Sequence, residues 1–193
     1  MPSGSCGETG LTAMGASVEQ ERVRCQLDVI AEVLRAARDR GVSLWLRGGW
    51  AMDFFLGEVT RDHADIDWFA RARDAAPLEG ILTRLGHRPV PGPPPDLQLD
   101  FVKDGLDTSF TLLAQDTEGR ITVAGGPWAG TPWPEGLLDA EPGRIGALEA
   151  PIVGPRAQIE IKRMMPVWDP SRPRRAKDAE DIARLEAALR GRS

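Results

Sequence analysis

The sequence contains no run approaching the roughly 18 apolar residues that a membrane-spanning helix needs, so no such segment is expected. It has only two cysteines, Cys6 and Cys25, which show no metal-ligand spacing. A reducing cytoplasm is therefore the expected compartment. A basic excess is also missing: the net charge of −5 argues against a duplex nucleic-acid binder, which wants a basic face. The start, "MPSGSCGETGLTAMGAS", lacks the basic-then-apolar order of a signal peptide and reads as a flexible Gly/Ser-rich tail over residues 1–16. There is no internal repeat, and the one low-complexity stretch is the proline loop "PVPGPPP" at 89–95. What remains is ordinary for a soluble protein. Its 193 residues are 41% hydrophobic and 27% charged, enough for a packed core and one domain over 17–193.

The element pattern is mixed. Ser17 to Gln20 has the form of a capping box, followed by Val23, Leu27, Ile30, Leu34 and Ala37 at helical spacing, with Gly41 as the stop. "VSLWL" (42–46) reads as a strand, "WAMDFFL" (50–56) as a short helix stopped by Gly57, and "DIDWFA" (65–70) as the next strand. A helix is expected from Pro77 to Gly86. Asp104-Gly105 between two apolar runs signals a hairpin with a two-residue turn. Arg120–Val123 and the surroundings of Arg144 offer short strands within a Gly/Pro/Trp-rich stretch. Two C-terminal helices are expected within about 154–191. The order predicts an α+β fold, a small mixed β-sheet with helices on one side.

The chemistry concentrates in "RGGWAMDFFLGEVTRDHADIDWFA", residues 47–70. In a strand, positions i and i+2 share a face about 6.6–6.8 Å apart, so Asp65 and Asp67 should project together while Ile66 faces the core. Two carboxylates so placed repel each other unless a cation lies between them. Magnesium answers that problem, being held by one or two carboxylates plus substrate phosphates. Gly48-Gly49, at a strand-to-helix turn, lets backbone N–H groups approach an anion at the positive end of the helix dipole. A phosphate cradle beside a metal for phosphate is a coherent pair.

This stretch resembles the nucleotidyltransferase superfamily of DNA polymerase beta, in which a Gly-Gly or Gly-Ser pair precedes acidic-x-acidic on the next strand. More narrowly, Leu46 to Trp68 is similar to the aminoglycoside-2''-adenylyltransferases and the related lincosamide nucleotidyltransferases, where Gly-Gly-Trp-Ala leads to Thr-Arg-x-His and Asp-x-Asp. The resemblance implies a nucleotidyltransferase-like fold with C-terminal helices. It also implies transfer of a nucleoside monophosphate, AMP from ATP, to a hydroxyl of a small molecule such as an aminoglycoside, with release of pyrophosphate. Asp65 and Asp67 would hold magnesium, with two ions expected, while Gly48, Gly49 and Arg61 would contact the triphosphate. A third carboxylate, as metal ligand or general base, falls best on Asp107, with Asp100 as runner-up and Asp104 as the turn residue.

Other residues carry two readings each. His63 either bonds a phosphate or orders its loop, and Lys162 either reaches the triphosphate or pairs on the surface, as Lys177 does beside Asp178 and Asp181. Asp53 reads as structural and His87 as surface. Trp128 and Trp133 either stack on a ring or, the preferred reading, cover a small satellite core. The partners expected are a nucleoside triphosphate and a small-molecule acceptor, without nucleic acid or membrane, for a monomer or homodimer. The competing functions are AMP transfer to a protein, as in antitoxin-type members of the superfamily, and a nucleotide-binding module without catalysis.

Overall fold

A computed structural model describes residues 9–171 and 173–192, with side chains from Glu19 onward. Helix α1 runs Thr9–Arg38, so it starts ahead of the expected cap, and Ser17 to Gln20 lie inside it. Gly10 and Gly15 each cost a helix only about 1 kcal/mol, and no proline intervenes, so nothing local stops the extension. Of the expected tail, residues 1–8 lie outside the described residues and 9–16 are helical. The stripe of α1 buries Ile30, Val33, Leu34 and Ala37, and Gly41 follows in the left-handed conformation at φ 69°.

The remaining elements are β1 (Leu44–Leu46), α2 (Gly48–Leu56), β2 (Asp65–Arg71), α3 (Ala75–Arg84), β3 (Arg88–Pro89), β4 (Gln98–Lys103), β5 (Leu106–Gln115), β6 (Ile121–Val123), β7 (Gly143–Ile145), β8 (Leu148–Ala150), α4 (Pro155–Trp168) and α5 (Ala176–Gly191). The main sheet has the order β1-β2-β5-β4-β3, with β6 paired to β5. Its β2–β5 pair is parallel and the others are antiparallel. The hairpin from β4 to β5 turns at Asp104 (φ 51°) and Gly105 (φ 76°), the positive angles that a tight two-residue turn requires. The edge of β1 is covered by the segment at 151–153, where Leu46 N–H donates to Pro151 O and Val153 N–H donates to Leu46 O.

Strand alternation divides the core. On one face Ile66, Trp68, Ala70, Phe110, Leu112, Leu99 and Phe101 pack with α1, α3 and the Trp50 and Phe54 side of α2. On the other, Phe69 and Leu113 meet Leu137, Val153 and Ala157 of α4. Helices therefore lie on both faces, because the odd positions of β2 include apolar Phe69, which α4 covers. The open remainder of that second face carries the polar residues described next. Each large core side chain is worth about 1.5–3 kcal/mol of burial.

His87, expected at the surface, is buried, and neither ring nitrogen has a hydrogen-bond partner among the described residues. Burial, helped by the Lys103 charge, pushes its imidazole below the ordinary value and favours the neutral ring. Its position after the helix-ending Gly86 suggests solvent, but the turn, in which His87 N–H donates to Leu82 O, leaves the side chain buried. No helix among the described residues is long and apolar enough to cross a membrane.

Candidate active site

A cavity of about 710 Å³ opens over the polar part of the sheet, bounded by the first turn of α2, the strand face, α4 and the start of α5. Two strand residues define its floor. Asp65 and Asp67 lie on one face of β2 while Ile66 is fully buried on the other, as alternation requires. The parallel register sets Asp65 beside Asp107 and Asp67 beside Ser109 of β5. Ser109 Oγ donates to Asp67 Oδ1 at 2.7 Å. One strand further, Asp100 pairs in register with Ser109.

The glycine pair does two different jobs. Gly48 has φ 65°, and a Cβ built on it would lie 2.9 Å from Asp67 Oδ2. The bend thus brings backbone against the acid. Gly49 instead faces away from the cavity, where a Cβ would fall 2.3 Å from His63 Nδ1. Glycine is required at both, by conformation at the first and by space at the second.

The site acids are electrostatically unequal. Burial, then the charge of Asp67, pushes the Asp65 carboxyl above its ordinary value, against the opposing pull of Lys177, His63 and Arg175. Asp100 is confined: Gln98 Nε2 donates to its Oδ1 at 2.8 Å, and a Cβ on Gly92 would sit 1.9 Å from its Oδ2. Asp107 is exposed beside Asp65. Among the described residues no three His, Cys, Asp or Glu side chains are gathered closely enough to form a metal site by themselves. Paired acids on one face, their repulsion only partly offset by nearby cations, nevertheless fit a hard, oxygen-seeking ion that takes further ligands from phosphate and water.

The cations come from the C-terminal helices. Lys162 of α4 lines the cavity, with its Nζ 2.8 Å from Asp181 Oδ2 and 3.6 Å from Asp178 Oδ1. Arg175, just before α5, lines it too, donating from Nε and Nη2 to the Asp178 carboxylate at 3.0 Å each. Burial alone would raise Asp178 and Asp181. The hydrogen bonds from Arg175 to the first, and from Arg61 and Lys162 to the second, outweigh it and hold both below the usual carboxylate value.

Two expected triphosphate contacts are not brought into the cavity. Arg61 turns to Asp181 instead, with Nη2 at 3.0 Å from Oδ2 and Nε at 3.3 Å from Oδ1. His63 is buried, with Nε2 2.7 Å from Asp53 Oδ2, its ring 4.5 Å from that of Trp50, and Nδ1 3.2 Å from the Arg61 guanidinium. Asp53 also accepts from Thr60 N–H and Oγ1. The reason is common to both: two fully buried carboxylates, Asp53 and Asp181, demand donors, and these side chains supply them. These are contacts within the loop and to its neighbours, and the His63 carbonyl accepts from Gln26 and Arg22 of α1.

Sequence reasoning missed Arg47 and Arg175. Arg47 precedes the glycine pair, lies 4.7 Å above the Phe69 ring and donates to Thr111 Oγ1 at 2.6 Å. Its place inside the motif was a usable signal. Arg175 stands in the basic run "RPRRAK", which only the helix start aims at the cavity. Trp133 packs edge-on against Phe69 at 5.0 Å, as a satellite-core cover does, whereas Trp128 is 41% exposed.

Three comparisons with known proteins bear on this geometry. Residues 29–92 match the family described as aminoglycoside-2''-adenylyltransferase. Over 63 residues the chain is 44% identical to a 2''-aminoglycoside nucleotidyltransferase of Escherichia coli, a match covering 33% of this chain and 36% of that protein. The matched segment thus spans about a third of the curated relative. Among solved structures, the chain is similar to ANT(2'')-Ia in complex with adenylyl-2''-tobramycin, with TM-score 0.68, 24% identity, and 86% and 90% of the two chains covered. It is also similar to the lincosamide antibiotic adenylyltransferase LnuA in its lincomycin-bound form, with TM-score 0.64, 18% identity, and 81% and 93% covered. The resemblance read from Leu46 to Trp68 therefore holds in sequence over the glycine-acid segment and in fold over most of the chain.

Proposed function

We propose that this chain, sharing its fold with nucleotidyltransferases, moves a nucleoside monophosphate from a nucleoside triphosphate to a hydroxyl of a small molecule. The observation that carries the reading is the convergence of Asp65, Asp67 and Asp107 on one sheet face against the Gly48 bend. The relatives named above act on antibiotics, so a hydroxyl of an aminoglycoside or similar antibiotic is the acceptor, and ATP is the donor. The working unit is one nucleotidyltransferase-like domain over 17–193.

Each residue then has a defined task. Asp65 and Asp67 would hold magnesium, two ions in all, with Asp107 as the third carboxylate beside them. When bound, the metal neutralises charge on the phosphate oxygens and steadies the leaving group. The backbone N–H groups at the start of α2 face the triphosphate, and Lys162 and Arg175 offer positive charge to its distal end. The acceptor oxygen attacks the α-phosphorus, the bond from that phosphorus to the bridging oxygen breaks, and pyrophosphate departs. The acceptor proton passes to Asp107, the least confined carboxylate of the row. Asp100 is the weaker candidate because Gln98 and the proline loop already occupy its oxygens.

Incubation with magnesium, α-labelled ATP, GTP or UTP and an antibiotic panel tests the reading. The expected outcome is magnesium-dependent labelling of one acceptor, reduced at least about a hundredfold in Asp67→Asn, as when a preorganised charge-stabilising group is removed. A folded protein that neither binds Mg-ATP nor labels any acceptor refutes it.

A further inference from the structure

Lys162, the cation of α4 at the cavity, is held by two acids that each already have an arginine. Its Nζ lies 2.8 Å from Asp181 Oδ2 and 3.6 Å from Asp178 Oδ1. Asp178 is bound by Arg175, and Asp181 by Arg61, whose Nη2 and Nε reach its two oxygens. The Asp181 side chain is 1% exposed, so water does not replace a partner lost there. A lysine that left such an acid would strand a buried carboxylate, unless a second cation stayed behind. Arg61 is that second cation.

Arg61 is itself fixed from behind the glycine turn. Its Nη1 lies 3.2 Å from His63 Nδ1 and donates to the Asp62 carbonyl at 3.0 Å. A guanidinium only donates, so Nδ1 is the acceptor, and the ring proton sits on Nε2, aimed at Asp53 Oδ2 2.7 Å away. Asp53 is fully buried in α2 and takes its other bonds from Thr60, which ties the ring to that helix. Gly49 closes in from the turn: a Cβ there would fall 2.3 Å from His63 Nδ1 and 2.9 Å from Arg61 Nη2. Asp53, His63, Arg61, Asp181 and Lys162 thus form one hydrogen-bonded chain that starts in α2 and ends at the cavity wall.

We propose that Lys162 is a releasable cation and that Arg61, set by His63, is the positioning residue that releases it. Arg61 keeps Asp181 paired while Lys162 turns from that acid to the triphosphate. Without Arg61, Asp181 is left with Lys162 and keeps it, and the triphosphate meets one cation fewer. The inference rests on the nucleotidyl-transfer reading and gives a task to two motif residues that do not reach the cavity.

Calorimetric titration of the full chain with Mg-ATP, without acceptor, tests it. Lys162→Met is expected to weaken binding about tenfold, and Arg61→Gln to do the same although it touches no ligand. Arg61→Lys, which keeps a cation for Asp181, should stay within about threefold of the unsubstituted protein. On the Lys162→Met background, Arg61→Gln should cost about threefold or less, because no lysine is left to release. A merely structural arginine would weaken binding equally with and without the lysine. Should Arg61→Gln fail to give a cooperative melt, His63→Leu, which removes Nδ1 and leaves the Arg61 charge in place, carries the same comparison. Unchanged affinity in a folded chain-breaking variant or in Lys162→Met would overturn the inference. So would an undiminished loss on the Lys162→Met background, or a loss in Arg61→Lys as large as in Arg61→Gln. In each of these cases Mg-ATP binding by the unsubstituted protein leaves the nucleotide reading standing, and its failure there would remove both.

Discussion

At Asp65 two causes act in one direction: burial and the charge of Asp67 both disfavour its ionised form. The folded value is therefore above the unfolded one, and the sign of the linkage follows. In metal-free protein this carboxyl contributes stability below the unfolded value, where it is protonated, and loses it as pH rises through the folded value. Metal binding needs the ionised form and so weakens on the acid side sooner than for an ordinary aspartate. Carbon-detected NMR titration of the metal-free protein should place the Asp65 midpoint above that of a solvated aspartate. Asp67→Asn should move the midpoint down, with burial, the larger cause, still acting upward. A midpoint at the solvated value in the unsubstituted protein would contradict the repulsion on which the metal reading rests.

At the scale of elements, the cavity wall depends on how α5 is pinned. Asp181 is buried and receives Arg61 from the loop after α2 and Lys162 from α4, so one carboxylate ties three segments. Asp181→Ala would take from Arg61 its buried carboxylate and leave Lys162 with Asp178 at 3.6 Å. Full burial of such a pair puts the loss at 3–5 kcal/mol, and the partial exposure of Arg61 reduces it to about 2–3 kcal/mol. For a chain of this length that corresponds to a melting temperature lower by about 5–10 °C. Differential scanning calorimetry reads it directly, and a change within about one degree would show that α5 is held by packing of Leu185 alone. The same network explains what was legible in the sequence. Strand β2, helix α2 and the β4–β5 hairpin were readable because alternation, Gly57 and Asp104-Gly105 are local signals. Asp65, Asp67 and Gly48 could be assigned to one site for the same reason. Arg61 and His63 could not be placed, because their partners Asp181 and Asp53 lie 120 and 10 residues away and only folding brings them together. His87 and the start of α1 failed similarly: a local stop signal was outvoted by tertiary burial in one case and by continued helix in the other.

At the scale of the whole molecule, an acidic chain with net charge −5 presents an acid row to a triphosphate that is itself strongly negative. Neither should bind well without a divalent ion, because like charges across a confined cavity repel. Magnesium alone should also bind weakly, since among the described residues no three acids are gathered tightly enough to enclose it. The two ligands are therefore expected to stabilise the fold far more together than the sum of their separate effects. At ligand concentrations about a hundred times the dissociation constant, mass action adds about 2.7 kcal/mol. For a chain of this length that raises the melting temperature by about 5–10 °C. ATP alone and magnesium alone should each give a small fraction of that shift. In Asp67→Asn the joint effect should collapse toward the ATP-only value, because one of the two β2 carboxylates that receive the ion is gone. Thermal melts of both proteins with magnesium, with ATP and with both measure this. A full shift from ATP without magnesium would mean that Lys162 and Arg175 hold the triphosphate unaided, and the acids of β2 would then have no part in binding it.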